Sequence, residues 1–318
     1  MMIKAVFAAA VAFSLSAAAP AFADPAVVMA PGGAGGGYDA MARLPFDAMS
    51  KEGIFADGAT FTNKGGAGGT IGLAEFVGAN RGNDNAVMSM GVIMVGGILL
   101  NSSPVTLDDV TPLVRLTNDT GVVAVATDSP IKTVDDLVKA MKENLGAVSI
   151  GGGSAGGVDH IVMALIAKES GLEPAKLNYI PYDSGAEAVT ALGGGAVTVA
   201  VSGVSEFKPM ADAGRIRIIA VTSEGRVNGI DAPSLKEAGL NVVVGNWRGI
   251  VGAPDMSADG RKMWLDRFAK MHESAAWKDI LAKQGWEDAY LAGDDFVAFL
   301  NDEKTRIGAI LKEAGLVK

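Results

Sequence analysis

Cysteine is absent from the 318 residues. That removes disulfides, thiolate zinc sites and thiol nucleophiles together, along with the acylated cysteine that begins a surface lipoprotein. Histidine occurs only twice, and the separation of His160 and His272 gives no metal-ligand spacing. No run of basic residues exists: Lys and Arg total 27 against 36 Asp and Glu, a formal net charge of −9, which argues against a nucleic-acid partner. An anionic small molecule stays open, because converging backbone N–H groups can hold a negative charge inside an acidic protein. Long apolar runs are also missing beyond the N-terminus. The best, Gly91 to Leu100, is about half of the ~20 residues that a membrane span needs.

The N-terminus itself carries an export signal. Lys4 precedes an apolar run from Ala5 to Ala19, and Ala21-Phe22-Ala23 has the small-x-small pattern of signal peptidase cleavage. The run is too short to span a bilayer and Pro20 interrupts it. Residues 1–23 are therefore expected to be a cleaved signal peptide, and the mature protein to diffuse freely in the periplasm.

With 49% hydrophobic and 20% charged residues, the chain has ample apolar surface for a large core. Short β-branched runs alternate with segments of helical period, the pattern of α/β architecture with a largely parallel sheet. Expected strands are Ala26 to Ala30, Ala59 to Thr62, Ala86 to Met90, Val122 to Thr127, Ala147 to Ile150, Leu177 to Pro181, Val197 to Ser202, Ile216 to Thr222 and Val242 to Asn246. Thr133 with Asp136 and Ser184 with Glu187 fit capping-box spacing, while Gly146, Gly171, Gly193 and Gly239 sit where helices should stop. From Ser257 the chain reads helix, helix, short strand, helix. Phe296, Phe299, Leu300, Ile307, Ile310 and Leu311 form the core-facing stripe of the last helix. Nine strands and a mature chain of about 295 residues, a size at which single cores stop growing, imply two lobes. The absence of a Pro/Ser-rich or charged linker fits one lobe inserted into the other.

The 42 glycines cluster. Val27-Val28-Met29-Ala30 runs into Pro31-Gly32-Gly33-Ala34-Gly35-Gly36-Gly37-Tyr38-Asp39, and Ala147-Val148-Ser149-Ile150 runs into Gly151-Gly152-Gly153-Ser154-Ala155-Gly156-Gly157-Val158-Asp159. Each reads as a strand, a glycine turn, Gly-Gly-x-Asp and a helix start. Such turns let amide N–H groups converge on an anion at the positive end of a helix dipole. Placed beyond the strand ends of two lobes, they would face each other across a cleft. A third loop, Asn63 to Thr70, offers Gly66, Ala67 and Gly68 as a further N–H surface. Arg43, Lys64 and Arg248 are candidate cations. Asp39 and Asp159 read as helix caps, since a carboxylate repels an anionic ligand.

Two other motifs compete. Gly152-Gly153-Ser154-Ala155-Gly156 matches the Gly-x-Ser-x-Gly nucleophile elbow, so the alternative is an exported serine hydrolase with Ser154 as nucleophile, His272 as base and Asp255, Asp259 or Asp266 as the acid. Gly151-x-Gly153-x-x-Gly156 satisfies the dinucleotide fingerprint, but the acidic residue expected about 20 positions on is missing. No cofactor and no metal are expected.

Jointly, Ala30-Pro31-Gly32-Gly33 through Asp39 with Ala42-Arg43, Asn63 through Thr70, Gly153-Ser154-Ala155-Gly156 with His160, Ile180-Pro181-Tyr182, and Ala213-Gly214-Arg215 through Ser223 resemble the periplasmic solute receptors of tripartite tricarboxylate transporters, the BUG family. The tail, with Trp247-Arg248-Gly249 and Met271-His272-Glu273-Ser274 through Trp277, is most similar to the branch that takes up citrate and related acids. The resemblance implies a type II periplasmic binding protein fold, two Rossmann-like lobes around a ligand cleft, divided into residues 24–121 plus 226–318 and an inserted 122–225. It implies a small di- or tricarboxylate ligand held by backbone N–H groups, and delivery by a monomeric receptor to a permease of one large and one small subunit. Carried over by position, the first family loop falls on Ala34, Gly35, Gly36, Gly37, Tyr38 and Asp39. The second falls on Ser154, Ala155, Gly156, Gly157 and His160, and Tyr182, Ser184, Ser202, Ser205, Glu206, Trp247 and Arg248 would supply distal walls.

Overall fold

The β-branched runs become strands and the segments between them helices, in a computed structural model that describes residues 25–313 and 315–317. The expected signal peptide lies outside the described residues. In chain order the elements are β1 (Ala26–Ala30), α1 (Gly37–Lys51), β2 (Ala59–Asn63), α2 (Thr70–Ala79), β3 (Ala86–Gly91), α3 (Val92–Leu100), β4 (Thr111–Ala126), α4 (Val134–Glu143), β5 (Ser149–Gly152) and α5 (Val158–Glu169). They continue with β6 (Asn178–Pro181), α6 (Gly185–Gly193), β7 (Val199–Gly203), α7 (Val204–Asp212), β8 (Ile216–Val221), β9 (Gly245–Gly252), α8 (Ala258–Glu273), α9 (Ala275–Gln284), β10 (Glu287–Ala292) and α10 (Gly293–Glu313).

The strands follow the order β2-β1-β3-β9-β4-β7-β5-β6, with β8 and β10 also pairing β4. β1 runs parallel to β2 and β3, and β5 runs parallel to β6 and β7. Two βα units therefore lie at opposite ends of the sheet. The 16-residue β4 joins them and changes partners midway. Thr111 to Thr120 pairs with β9, while Gly121 to Val125 pairs with β7 and Val122 to Ala126 with β8. Each half of the molecule thus closes its own set of strands around a different part of one strand.

Local signals explain the helix ends. Thr133 Oγ1 accepts the Asp136 N–H at 3.1 Å and Asp136 Oδ2 accepts the Thr133 N–H at 3.0 Å, a complete capping box. Ser184 caps α6 by accepting the Glu187 N–H at 3.3 Å, but Glu187 reaches back to Asp183 instead of Ser184. On α10, Phe296, Leu300, Ile307 and Leu311 are buried as their spacing predicts.

Two strands differ from expectation. β4 begins at Thr111, well before Val122, because Pro112, Asn118 and Asp119 look like turn residues in one dimension. Pro112 sits beside a register shift, the kind of position at which a strand tolerates proline. β9 covers Gly245–Gly252, later than the β-branched Val242-Val243-Val244, which form an irregular connection anchored by the Val244 N–H to Thr222 O at 3.0 Å.

Trp264, Trp277, Phe46 and Phe55 pack behind the first set of strands, with Phe46 edge-on to Trp264 at 5.7 Å. Another apolar cluster runs from Met88 and Met90 through Met94 and Val95 on α3 to Ile161 and Val162 on α5. It fixes α3 and α5 side by side, which positions the glycine loop at the start of α5.

The chain passes between the halves through β4 and again through residues 222–244. Thr222 ties both passages: its buried Oγ1 accepts the Gly121 N–H at 2.9 Å and donates to Val244 O at 2.6 Å. Thr222→Val keeps the shape but leaves both backbone groups unpaired. It should cost about 1 to 3 kcal/mol, read as a lower thermal midpoint, while Thr222→Ser should recover most of the loss.

Candidate functional site

β1 and β5 each end in a glycine turn that leads into a helix, and the two turns have the same backbone. Gly35 and Gly156 take φ of +80° and +76°, a left-handed conformation that glycine adopts without strain. Gly36 and Gly157 then cap α1 and α5 in extended conformation. The Gly36 N–H donates to Gly33 O at 3.3 Å and the Gly157 N–H to Ser154 O at 2.9 Å.

This geometry sets a register one residue away from the Gly-Gly-x-Asp match. Gly35 corresponds to Gly156, so Asp39 corresponds to His160 and Tyr38 to Asp159. The correspondence is chemical as well. The Gly35 N–H donates to Asp39 Oδ2 at 2.9 Å, and the Gly156 N–H donates to His160 Nδ1 at 3.1 Å. A carboxylate in one loop and an imidazole in the other accept the same donor, because the left-handed glycine turns its N–H back toward the helix.

Between the loops lies a cleft of about 400 Å³. Pro31, Gly32, Gly33, Gly36, Gly37 and Tyr38 line one wall, with Gly65, Gly66, Gly68 and Gly69 of the third loop and Ile93 of α3. Gly153, Ser154, Asp159, Asp183, Ser184, Gly185, Ser202 and Glu206 line the other, and Asn246 and Arg248 of β9 form the floor. Of the sequence-expected residues, Gly36, Gly37, Tyr38, Gly66, Gly68, Ser154, Ser184, Ser202, Glu206 and Arg248 come together here. The first turns of α1 and α6 both open into this space, so free N–H groups and positive dipole ends face it from two sides.

The other expected residues sit behind or beside the lining. Asp39 is buried, and its Oδ1 accepts from Arg43 Nε at 2.8 Å and from Asn63 Nδ2 at 2.9 Å. Burial pushes its pKa up, but the Gly35 N–H, Asn63 and Arg43 outweigh that and hold it below the usual range. Ala34, Gly35 and Ala67 lie exposed on their loops. Ala155, Gly156, Gly157 and Tyr182 shape the second loop, with the Tyr182 N–H donating to Gly152 O at 2.8 Å. Ser205 Oγ donates to Asp119 Oδ2 at 2.9 Å. Trp247 points to the opposite face of β9, where its indole N–H donates to the buried Glu303 at 2.7 Å and its ring meets Phe299 at 5.1 Å. Asp183 lies within the stretch Tyr182 to Gly185 expected as a distal wall, whereas sequence reasoning missed Asn246 and Asp119. Glycine spacing signals loops, but the partners of β9 in space carry no local signal.

Of the three candidate cations, Lys64 pairs with Glu75 at 3.0 Å and Arg43 braces Asp39, whereas Arg248 lines the cleft. Its side chain is 4% exposed. Nη1 donates to Asp119 Oδ2 at 3.4 Å, and Nε and Nη2 take no other partner among the described residues. A Cβ at residue 37 would collide with Nη2, so Gly37 is what lets the guanidinium reach the start of α1. Burial raises the pKa of Asp119, and Arg248 and Ser205 oppose the rise. Burial likewise pushes Asp159 up to about 7, against the Gly153 N–H that it accepts at 2.8 Å. Burial pulls His160 down to about 4, which leaves a neutral ring stacked on Tyr179 at 4.2 Å.

The serine-nucleophile arrangement is not assembled. Neither histidine lines the cleft that Ser154 lines. His160 Nδ1 is committed to its loop, and His272 pairs with Asp288 at 2.8 Å and stacks on Tyr290. No group of three or more His, Cys, Asp or Glu among the described residues is placed to hold a metal ion.

Two predictions test this reading of the loops. His160→Leu should expose the Gly156 amide and speed its hydrogen exchange about fivefold or more, and His160→Asn, which keeps an acceptor, should reverse part of that gain. The second concerns pH. Asp159 titrates at about 7 in the fold against 3.8 for an ordinary Asp, so the native state binds the extra proton and stability from this group falls as pH rises from about 4 to 7. His160, at about 4 against 6.5, has the opposite sign over about pH 4 to 6.5. Asp159→Asn should therefore raise the thermal midpoint at pH 8 and converge with the parent near pH 4; a lower midpoint at pH 8 would contradict the burial cost.

The chain matches the tripartite tricarboxylate transporter family receptor, TctC, over residues 41–316. It is 27% identical over 288 residues to the UPF0065 protein of the gbd 5′ region of Cupriavidus necator, covering 90% of this chain and 86% of that protein. A Rhodopseudomonas palustris protein solved with adipate superposes with a TM-score of 0.82 at 21% identity, over 92% of this chain and 97% of the other. The MatC protein of the same species, solved with bound malate, gives 0.79 at 17% identity, over 91% and 99%. The fold is thus that of the two-lobed periplasmic binding proteins, and the chain belongs to the tripartite tricarboxylate transporter receptor family.

Proposed function

We propose that this receptor captures a small di- or tricarboxylate in the cleft between its glycine loops, without transforming it, and hands it to a permease of one large and one small membrane subunit. The observation that carries the reading is Arg248: a buried guanidinium, loosely held by Asp119, with uncommitted N–H donors beside Gly37 at the positive end of α1. A carboxylate there accepts charge-assisted bonds from the planar fork and from the first-turn amides together. Relatives of the same fold solved with adipate and malate support the ligand class. Nothing in this capture needs a cofactor or metal, and Ser154 serves as a wall and an N–H donor, not as a nucleophile.

In this reading the lobes are residues 24–121 plus 226–318 and the inserted 122–225, closing by a hinge at the two passages tied by Thr222. The exchange of β4 partners at Gly121 supports the first boundary. Val227, Ile230 and Ala232, just past the second boundary, pack with the inserted lobe. The receptor acts in the periplasm as a monomer, after removal of residues 1–23.

Titration calorimetry with citrate, malate, succinate, tartrate and adipate tests the proposal. At least one acid should bind saturably, and at 100 times its Kd it should add about 2.7 kcal/mol to native stability. Arg248→Lys keeps a cation beside Asp119 but loses the fork, and should weaken that acid about tenfold or more, while Ser154→Ala keeps most of the affinity. Absence of binding by every acid would contradict the reading.

A further inference from the structure

The cleft wall at the starts of α6 and α7 carries an acceptor. Glu206, in the first turn of α7, lines the cleft. Ser202 Oγ donates to its Oε2 at 2.7 Å, and Oε1 takes no partner among the described residues. No Lys or Arg among them pairs with it. A Cβ on Gly185 would collide with both Ser202 Oγ and the Glu206 carboxylate, so Glu206 is pressed against the start of α6 at the cleft wall. The charged groups around it are Asp119 of β4, Asp159 of α5 and Arg248 of β9, and Arg248 is already shared with Asp119. Two buried polar atoms of lining residues, Tyr38 Oη and Asn246 Oδ1, lack a hydrogen-bond partner among the described residues.

The cleft therefore offers both kinds of partner. Arg248 and the first-turn amides of α1 donate, and Glu206, with no Lys or Arg paired to it among the described residues, accepts through Oε1. A second carboxylate placed against Glu206 meets like charge and no hydrogen to share. A hydroxyl or an ammonium placed there donates to a charged acceptor, the stronger class of hydrogen bond.

Building on the carboxylate reading above, we propose that Glu206 sets ligand specificity by accepting a hydrogen bond from a hydroxyl or ammonium on the carbon chain of the ligand, so that the cleft prefers hydroxy- or amino-substituted polycarboxylic acids to their unsubstituted parents.

Calorimetry on matched acids tests this: succinate with malate and aspartate, glutarate with 2-hydroxyglutarate and glutamate, and tricarballylate with citrate. In the native protein the substituted member of at least one set should bind about tenfold or more tighter than its parent. In Glu206→Ala the parent should bind as well as before or better, and the gap should close to about twofold or less. Glu206→Gln separates the two donors: a preference for hydroxyl survives on the neutral acceptor, and a preference for ammonium is lost. Equal binding of parent and substituted acids in the native protein, a gap that persists in Glu206→Ala, or an equal loss for parent and substituted acids in that variant would each overturn the role of Glu206 while leaving carboxylate capture intact. Failure of every acid to bind would overturn both.

Discussion

A buried guanidinium at the junction of two lobes is the constraint around which this cleft is organised. Taking an ion out of water costs several kcal/mol unless partners replace the lost hydration. Asp119 supplies one partner at 3.4 Å, longer than an ideal charge-assisted bond, and Ser205 takes up the same oxygen of Asp119. Arg248 is thus neutralised without being saturated, and its remaining donors are directed to the space between the loops. Glycine at position 37 is the steric condition for this, and β9, running through the middle of the sheet order, is the rigid element that holds the side chain there.

The paired loops add the backbone half of the site, and their comparison shows how one geometry is kept with different side chains. Asp39 and His160 accept the same left-handed amide, one as a carboxylate held below its usual pKa, the other as an imidazole kept neutral by burial. The difference follows the surroundings. Asp39 has Arg43 and Asn63 beside it, while His160 stacks on Tyr179 with no cation bonded to it among the described residues. Tyr38 and Asp159, which occupy the equivalent positions of the two loops, both line the cleft and give it unlike walls.

Much of this was legible in the sequence because it is local. Strand, glycine turn and helix follow from β-branched runs, clustered glycine and helical period, and ten of the residues chosen from loops and wall positions line the cleft. What sequence could not supply was relational. The Gly-Gly-x-Asp match put the two loops out of step by one, since the left-handed glycine and not the aspartate defines the turn. The start of β4 before Val122 is not legible, because Pro112, Asn118 and Asp119 resemble turn residues and only β9 and β10 on either side make them strand. Trp247 and Arg248 are adjacent in the chain but face opposite sides of β9, and period-two alternation separates them only once the strand is placed correctly. The β-branched Val242 to Val244 place that strand too early, since β9 spans Gly245–Gly252.

A crystal structure grown with citrate is the most direct test of the central claim. The account predicts a carboxylate within about 3 Å of Arg248 Nη2 and of the first-turn amides of α1. Electron density for the acid in the larger groove of about 630 Å³ beside Lys132, Lys208 and Arg217, with the Arg248 guanidinium still bonded only to Asp119, would contradict it.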